Sequence, residues 1–326
     1  MSDERVAPNS IPGGDAQRPT QIPARGWVQV LQRAWAQVKT HNVALLSGGV
    51  AFFAFLALFP AIIAGISLVG LVADPGVLAA QVRSFTSGLP PAAGQLITDQ
   101  LGSVTGSSGG SLSLTLIISL GVALFSASSG ISHMMQAINI AYGEDESRGY
   151  VKLRSIALGL TLAALVFFAL TLALVAVVPT VLGALPIGVA ATVLAQVLRW
   201  AFLAVLVVVA LAVLYRIAPD RDAPRMRWVT FGSLVATLLW LLGSVVFSLY
   251  VNFFGHYNKT YGAIAGVIML MLWLYLTCFV VLLGAEVNAE SERQTVRDTT
   301  EGEPVPMGER RAVAADTFAG TPSAET

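Results

Sequence analysis

Charge is scarce in this chain. Only 12% of its 326 residues are Asp, Glu, Lys or Arg, about half of the roughly 25% usual in a soluble globular domain. Whole stretches carry none: 40–73, 100–143, 155–198, 200–215, 228–258 and 260–285 lack all four. Cysteine is rarer still. The lone Cys278 excludes an intrachain disulfide, and His41, His133 and His256 fall in no spacing that would hold zinc. No Gly-rich loop leading to Lys-Ser or Lys-Thr is present, which removes the usual ATP-binding motif. The 19 basic and 19 acidic residues cancel, so no bulk attraction draws the chain to nucleic acid. No cofactor or metal is expected, and the polar start from Met1 to Arg5 does not read as a cleavable signal peptide.

What the chain has instead is apolar length. Hydrophobic residues make up 55% of it, and the mean hydropathy is +0.73. A membrane-spanning helix needs about 20 mostly apolar residues, so the charge-free runs predict an all-α, polytopic membrane helix bundle. Six spans are expected, near 43–72, 112–140, 153–178, 194–215, 228–251 and 262–285. Pro179, Gly183, Pro186 and Gly188 break the longest run and turn the chain. Residues 187–193 read as a half-submerged approach that leaves Arg199 near the interface.

Orientation follows from Lys and Arg beside the spans. Arg25, Arg33, Lys39, Arg148, Lys152, Arg154, Arg216, Arg221, Arg225, Arg227, Arg293 and Arg297 fall on one side, against Arg83, Arg199 and Lys259 on the other. Both termini are therefore expected in the cytoplasm, with an external loop at 74–111. Residues 26–40 place Trp27, Val30, Leu31, Ala34, Trp35 and Val38 on one helical face, the pattern of a helix lying in the membrane interface. Segments 1–25 and 291–326 are poor in large apolar residues and read as disordered cytoplasmic tails.

The polar residues left inside the spans are the candidate sites. Ser119, Ser126, Ser129, His133 and Gln136 fall within roughly an 80° arc on the second span. Polar groups in a bilayer face other helices or a water-filled cavity, so this seam could line a substrate path, with His133 as a proton acceptor. Interhelical packing explains the same pattern, because small Ser residues let backbones approach. A Ser129–His133 dyad lacks a third orienting group. Glu286, followed by Asn288, adjoins the last span as a titratable carboxylate or as half of a helix-end ion pair. Arg199 could bind an anionic headgroup or simply snorkel to the interface. Pro60 removes one backbone bond and should kink the first span, while Ala57, Ala61 and Gly65 signal close helix contact.

The chain resembles the YihY/virulence factor BrkB family of bacterial inner-membrane proteins. The resemblance lies in Ser47-Gly48-Gly49-Val50-Ala51-Phe52-Phe53 running to Phe59-Pro60, in Leu124 through Tyr142, and in Leu214-Tyr215-Arg216. It is strongest in Asn258-Lys259-Thr260-Tyr261-Gly262-Ala263, Leu272-Trp273-Leu274-Tyr275 and Gly284-Ala285-Glu286-Val287-Asn288. It covers roughly 26–290. It implies six membrane helices in the bacterial inner membrane and an envelope role, for which transport has been suggested. Some members carry the label ribonuclease BN, yet the clustered His/Asp site and basic RNA surface of such a nuclease are missing here. The expected function is therefore non-enzymatic: transport or positioning of a lipid-like or amphiphilic envelope molecule. The alternative is an envelope scaffold with protein partners. Membrane lipids are the expected surroundings in either case.

Overall fold

A computed structural model describes residues 11–70, 114–177, 188–253 and 258–319 of the chain. It is helical, with no strand among the described residues beyond one isolated bridge between Pro224 and Thr300. The helices are α1 (Ala24–Thr40), α2 (Val43–Gly70), α3 (Leu114–Tyr142), α4 (Tyr150–Leu172), α5 (Val189–Ile217), α6 (Met226–Phe253), α7 (Asn258–Glu292) and the single turn α8 (Val313–Asp316). The expected external loop at 74–111 and the turn through Pro179, Gly183 and Pro186 lie outside the described residues, as does His256.

Among the described residues, five helical stretches are long and apolar enough to cross a membrane: 43–62, 150–175, 190–217, 226–251 and 266–292. The long helices form a ring, with α2 against α3, α3 against α4, α4 against α5, α5 against α6, α6 against α7 and α7 back against α2. Their outer faces are apolar. Leu162, Val166 and Phe168 on α4, Val197, Trp200 and Val205 on α5, and Leu238, Leu242 and Val246 on α6 are all exposed. Apolar surface this continuous marks a face that water does not wet. The buried core gathers toward one end of the ring, around Met135, Ile138, Tyr142, Tyr215, Val229, Leu282 and Ala285.

That basal end is where the two ends of the chain meet. Gln294 Nε2 donates to the Pro12 carbonyl at 2.7 Å, Thr295 Oγ1 to the Ala16 carbonyl at 2.8 Å, and Val296 N–H to the Gly14 carbonyl at 2.8 Å. The expectation of free tails at 1–25 and 291–326 is corrected for the described parts of both. Residues 11–23 and 293–319 lie folded on the helix ends, and Thr295, Thr299, Thr300, Arg310, Ala314 and Ala315 are buried. Few large apolar residues were needed, because side chains satisfy the backbone of this segment. Arg310 alone donates to the carbonyls of Val296, Val305 and Ala315.

Two helix boundaries also differ from expectation. The helix expected to start near 194 begins at Val189, since nothing between Val189 and Leu194 breaks a helix, and Arg199 consequently lies ten residues into that helix. The last helix runs to Glu292, two turns past its apolar stretch, because its polar end is buried against partners. The segment 26–40, expected as a helix, lies in the helix Ala24–Thr40. Its Val30, Ala34 and Val38 are buried where it packs on α7, while Val28, Leu31 and Trp35 face outward.

Candidate functional site

The polar face of α3 is half open. His133 stacks its ring on Phe53 of α2 at 3.6 Å, and its Nδ1 lies 2.7 Å from the Ser129 carbonyl oxygen. A carbonyl only accepts, so Nδ1 carries the hydrogen there. The Ser129 hydroxyl is not on that ring but 3.3 Å from Arg154 Nη2, which excludes a Ser129–His133 dyad in this geometry. Arg154 also donates to the Phe125 carbonyl at 2.7 Å, and its guanidinium carbon lies 3.9 Å from the Phe125 ring centroid. Its Nε is buried with no hydrogen-bond partner among the described residues. Ser126 is half-buried and Gln136 is exposed on the outer surface. Ser119 lies on the same helix, but its side chain is outside those described.

Close packing explains the rest of this face. A Cβ on Gly130 would stand 3.2 Å from the Ala57 Cβ and 3.4 Å from the Ala54 Cα, so small residues on α2 and α3 set the distance between them. Pro60 lies inside α2, which continues through it to Gly70. Arg199, on α5, directs Nη1 at the carbonyls of Leu174 and Val175, at 3.5 and 3.4 Å.

The densest polar arrangement is at the basal end of α7. The α1–α2 corner turns through Asn42 at φ 50°, a left-handed conformation that Asn tolerates better than most residues. This corner brings His41 Nδ1 to 2.7 Å from Glu286 Oε1, whose carboxylate is buried. The other oxygen, Oε2, has no hydrogen-bond partner among the described residues. One turn on, Arg33 Nε meets Glu290 Oε2 at 2.6 Å and Arg293 Nη1 meets Oε1 at 2.6 Å. Arg221 grips Glu292 with two bonds, of 2.6 and 3.2 Å, while Thr299 Oγ1 donates to the same carboxylate at 2.6 Å. Asn288 belongs to a packing contact. It accepts from Gly232 N–H at 2.8 Å and donates to the Val229 carbonyl at 3.2 Å. A Cβ on Gly232 or Gly284 would collide with the facing helix.

The connections at this end hold perturbed carboxylates. Hydrogen bonds from Arg148 hold Glu146 below the usual carboxylate range, aided by its charge and by Asn139. Burial pushes Asp298 up, but the N–H groups of Val305 and Thr300, the Thr300 hydroxyl and Arg310 outweigh it and leave the group low. Burial raises Glu144, a shift the Val313 N–H opposes without cancelling. No group of three or more His, Cys, Asp or Glu able to hold a metal occurs among the described residues.

Of the candidates, the structure brings Ser129 to Arg154, His133 to Phe53, and Glu286 to His41. It leaves Arg199 apart from both groups. Sequence reasoning missed Arg154, His41, Arg33, Arg221, Glu290 and Glu292 as site residues. The only local signal was the crowding of charge beside the span ends, and pairing across 71 to 257 positions leaves no periodic trace.

These features define an all-helical membrane protein with a charged, ordered basal end. The chain belongs to the virulence factor BrkB family, whose match covers residues 34–307. It is 30% identical over 265 residues to the ribonuclease-like protein YfkH of Bacillus subtilis, covering 79% of this chain and 94% of that one. Shorter matches join it to UPF0761 membrane proteins. One, of Idiomarina loihiensis, is 38% identical over 24% of this chain and 28% of its own length. One of Cronobacter sakazakii is 40% identical over 27% of this chain and 32% of its own. The chain thus spans about a third or less of those two relatives. No solved structure matches the chain.

Proposed function

We propose that this protein crosses the bacterial inner membrane six times and positions or moves an amphiphilic envelope molecule with an anionic headgroup. Arg154 carries the reading. It stands near the start of α4, against the hydroxyl of Ser129 and the carbonyl and ring of Phe125, and it has no carboxylate partner among the described residues. An ionisable residue in a membrane span is a functional-site hypothesis by default. A cation, a hydroxyl and an aromatic face suit a negatively charged headgroup with its acyl chain beside it.

Supporting the topology, the segments at the two chain ends bond to each other, which requires an even number of crossings. The basic residues at that end support a cytoplasmic location for it. The outward strip of Val28, Leu31 and Trp35 on α1 supports its lying in the membrane interface. Reporter fusions at Gly109 and Arg293 should read opposite sides of the membrane.

The test of function is lipid selectivity. The wild-type chain in nanodiscs of mixed phosphatidylcholine and phosphatidylglycerol should retain the anionic lipid, and Arg154→Gln should lose that preference by about tenfold, the worth of one charge-assisted bond. An unchanged preference would defeat the reading. The alternative, an envelope scaffold that docks protein partners, draws on the ordered basal surface formed by 11–40 and 293–319. A stoichiometric partner lost on deleting 293–326 would favour it.

A further inference from the structure

The opposite end of α4 faces a second cation, Arg199 of α5, which has no ion-pair partner among the described residues. After Leu172 the helix widens into a π-helical turn, Ala173–Val177. Such turns shift the backbone ladder from i+4 to i+5 and are frequent at functional sites. Arg199 of α5 points at this turn, and its two bonds to the Leu174 and Val175 carbonyls are long, at 3.5 and 3.4 Å. Its Nε is buried without a hydrogen-bond partner among the described residues, and no ion pair holds its charge there. A guanidinium has five N–H donors in a planar fork, so only a small part of this one's capacity is used. Its carbon stands 5.2 Å from the Trp200 ring, and Trp200, Val197 and Leu198 form exposed apolar surface around it.

The depth of this group matters. Leu174 lies twenty residues beyond Arg154 on the same helix, about 30 Å at 1.5 Å per residue. That is the thickness of the bilayer's hydrocarbon core. Two cations without carboxylate partners among the described residues are therefore separated along the helix axis by about that thickness, one on each flank of α4. We propose that Arg199 and the π-helical turn form a second anionic headgroup site, in the leaflet opposite Arg154, which takes the phosphate of a lipid. The inference deepens the reading built on Arg154, because a protein that contacts charged headgroups in both leaflets is equipped to hold one amphiphile at either surface. The fork supplies two parallel donors to phosphate oxygens. The apolar side chains beside it face the acyl chains.

The experiment is lipid counting by native mass spectrometry on the full chain, released from phosphatidylcholine nanodiscs containing phosphatidylglycerol. Wild type should retain two phosphatidylglycerol molecules, Arg199→Gln one, Arg154→Gln one, and the double variant none. Arg199→Gln with both lipids retained, while Arg154→Gln loses one, overturns this inference and leaves the Arg154 reading standing. The converse result sustains Arg199 and defeats Arg154. Retained lipid in the bulk proportion of the two headgroups overturns the site, since the arginine would then only reach interfacial water. Should the Gln variant fail to fold, Arg199→Lys keeps the cation but removes the fork. In protein labelled with ¹³C-arginine, the substitution should abolish one contact between a guanidinium carbon and lipid ³¹P. A spectrum identical to wild type overturns the proposal.

Discussion

Arg221 and Glu292 form a two-bond ion pair in which neither side chain has any solvent exposure, at 0% for both. Arg221 comes from the connection between α5 and α6, and Glu292 is the last residue of α7. The guanidinium also lies 5.1 Å from the Tyr142 ring centroid, so three elements converge on it. Burial opposes the charge on Arg221, yet Glu292 more than offsets it and holds the guanidinium firmly protonated.

Removing one partner of such a pair leaves the other charged and buried, which costs about 3–5 kcal/mol. Arg221→Ala and Glu292→Ala should each lower stability by that order. Arg221→Met combined with Glu292→Leu should recover most of it. Thermal unfolding in detergent measures both, and single variants as stable as wild type would contradict the account.

The α6–α7 crossing sets a second expectation. Gly232 and Gly284 face each other so closely that a Cβ at either strikes backbone, Asn288 or the Tyr215 hydroxyl, which donates to the Val281 carbonyl at 2.7 Å. Gly284→Ala should destabilise by about 1–3 kcal/mol, the usual range for overpacking. Asn288→Leu should cost a comparable amount, because it strands the Val229 carbonyl and Gly232 N–H. Gly48→Ala, where nothing stands within 4 Å, is the control and should be neutral.

A third expectation concerns the C-terminal segment. A chain ending at Glu292 loses the Thr299 hydroxyl on Glu292 and the bonds from 294–296 to 12–16. It should become sensitive to protease at residues 11–23 and should melt lower than the full chain. A chain ending at Ala319 should behave as wild type.

Acid should release the same segment. The pKa of Asp298 is lower in the folded chain than in the unfolded one, so its contribution is present above the unfolded value of about 3.9. That contribution fades as pH falls through the folded value. Protection factors for hydrogen exchange at the Thr300 and Val305 amides, both bonded to Asp298 at 2.9 Å, should be high at neutral pH and fall as the pH drops through the folded value, below about 3.9. Asp298→Asn should show the low protection already at pH 7. Full protection of Val305 in Asp298→Asn would rule the carboxylate out as its anchor.

Glu144 has the opposite sign. Burial raises its folded pKa above the unfolded value, so the ionised form is disfavoured and stability falls as pH rises through the folded value. Glu144→Gln keeps an acceptor for the Val313 N–H. It should therefore leave stability at pH 7 unchanged or slightly higher in the same thermal assay, and a large loss would contradict this.

Much of the fold is legible in the charge-free runs, because an apolar helix in lipid satisfies its own backbone and needs no partner to be recognised. The α1 amphipathicity is equally legible, but which strip turns inward is not. Val30, Ala34 and Val38 meet α7 while Trp35 stays 55% exposed, since small residues permit the closer approach. By helical spacing alone the seam on α3 is one stripe. Packing divided it, leaving Gln136 on the outside and drawing Ser129 and His133 toward Arg154 and Phe53.

The sequence alone determined where the chain is apolar, how long each run is and on which side of the spans its basic residues collect. These are local properties, fixed by composition and helical rise. Only the tertiary structure decided that the C-terminal segment folds back, that His41 pairs with Glu286 and Arg221 with Glu292, and that Arg154 and Arg199 have no such partners among the described residues. Ion pairing depends on distances of a few ångströms between residues far apart in the chain, and helix packing alone sets those distances.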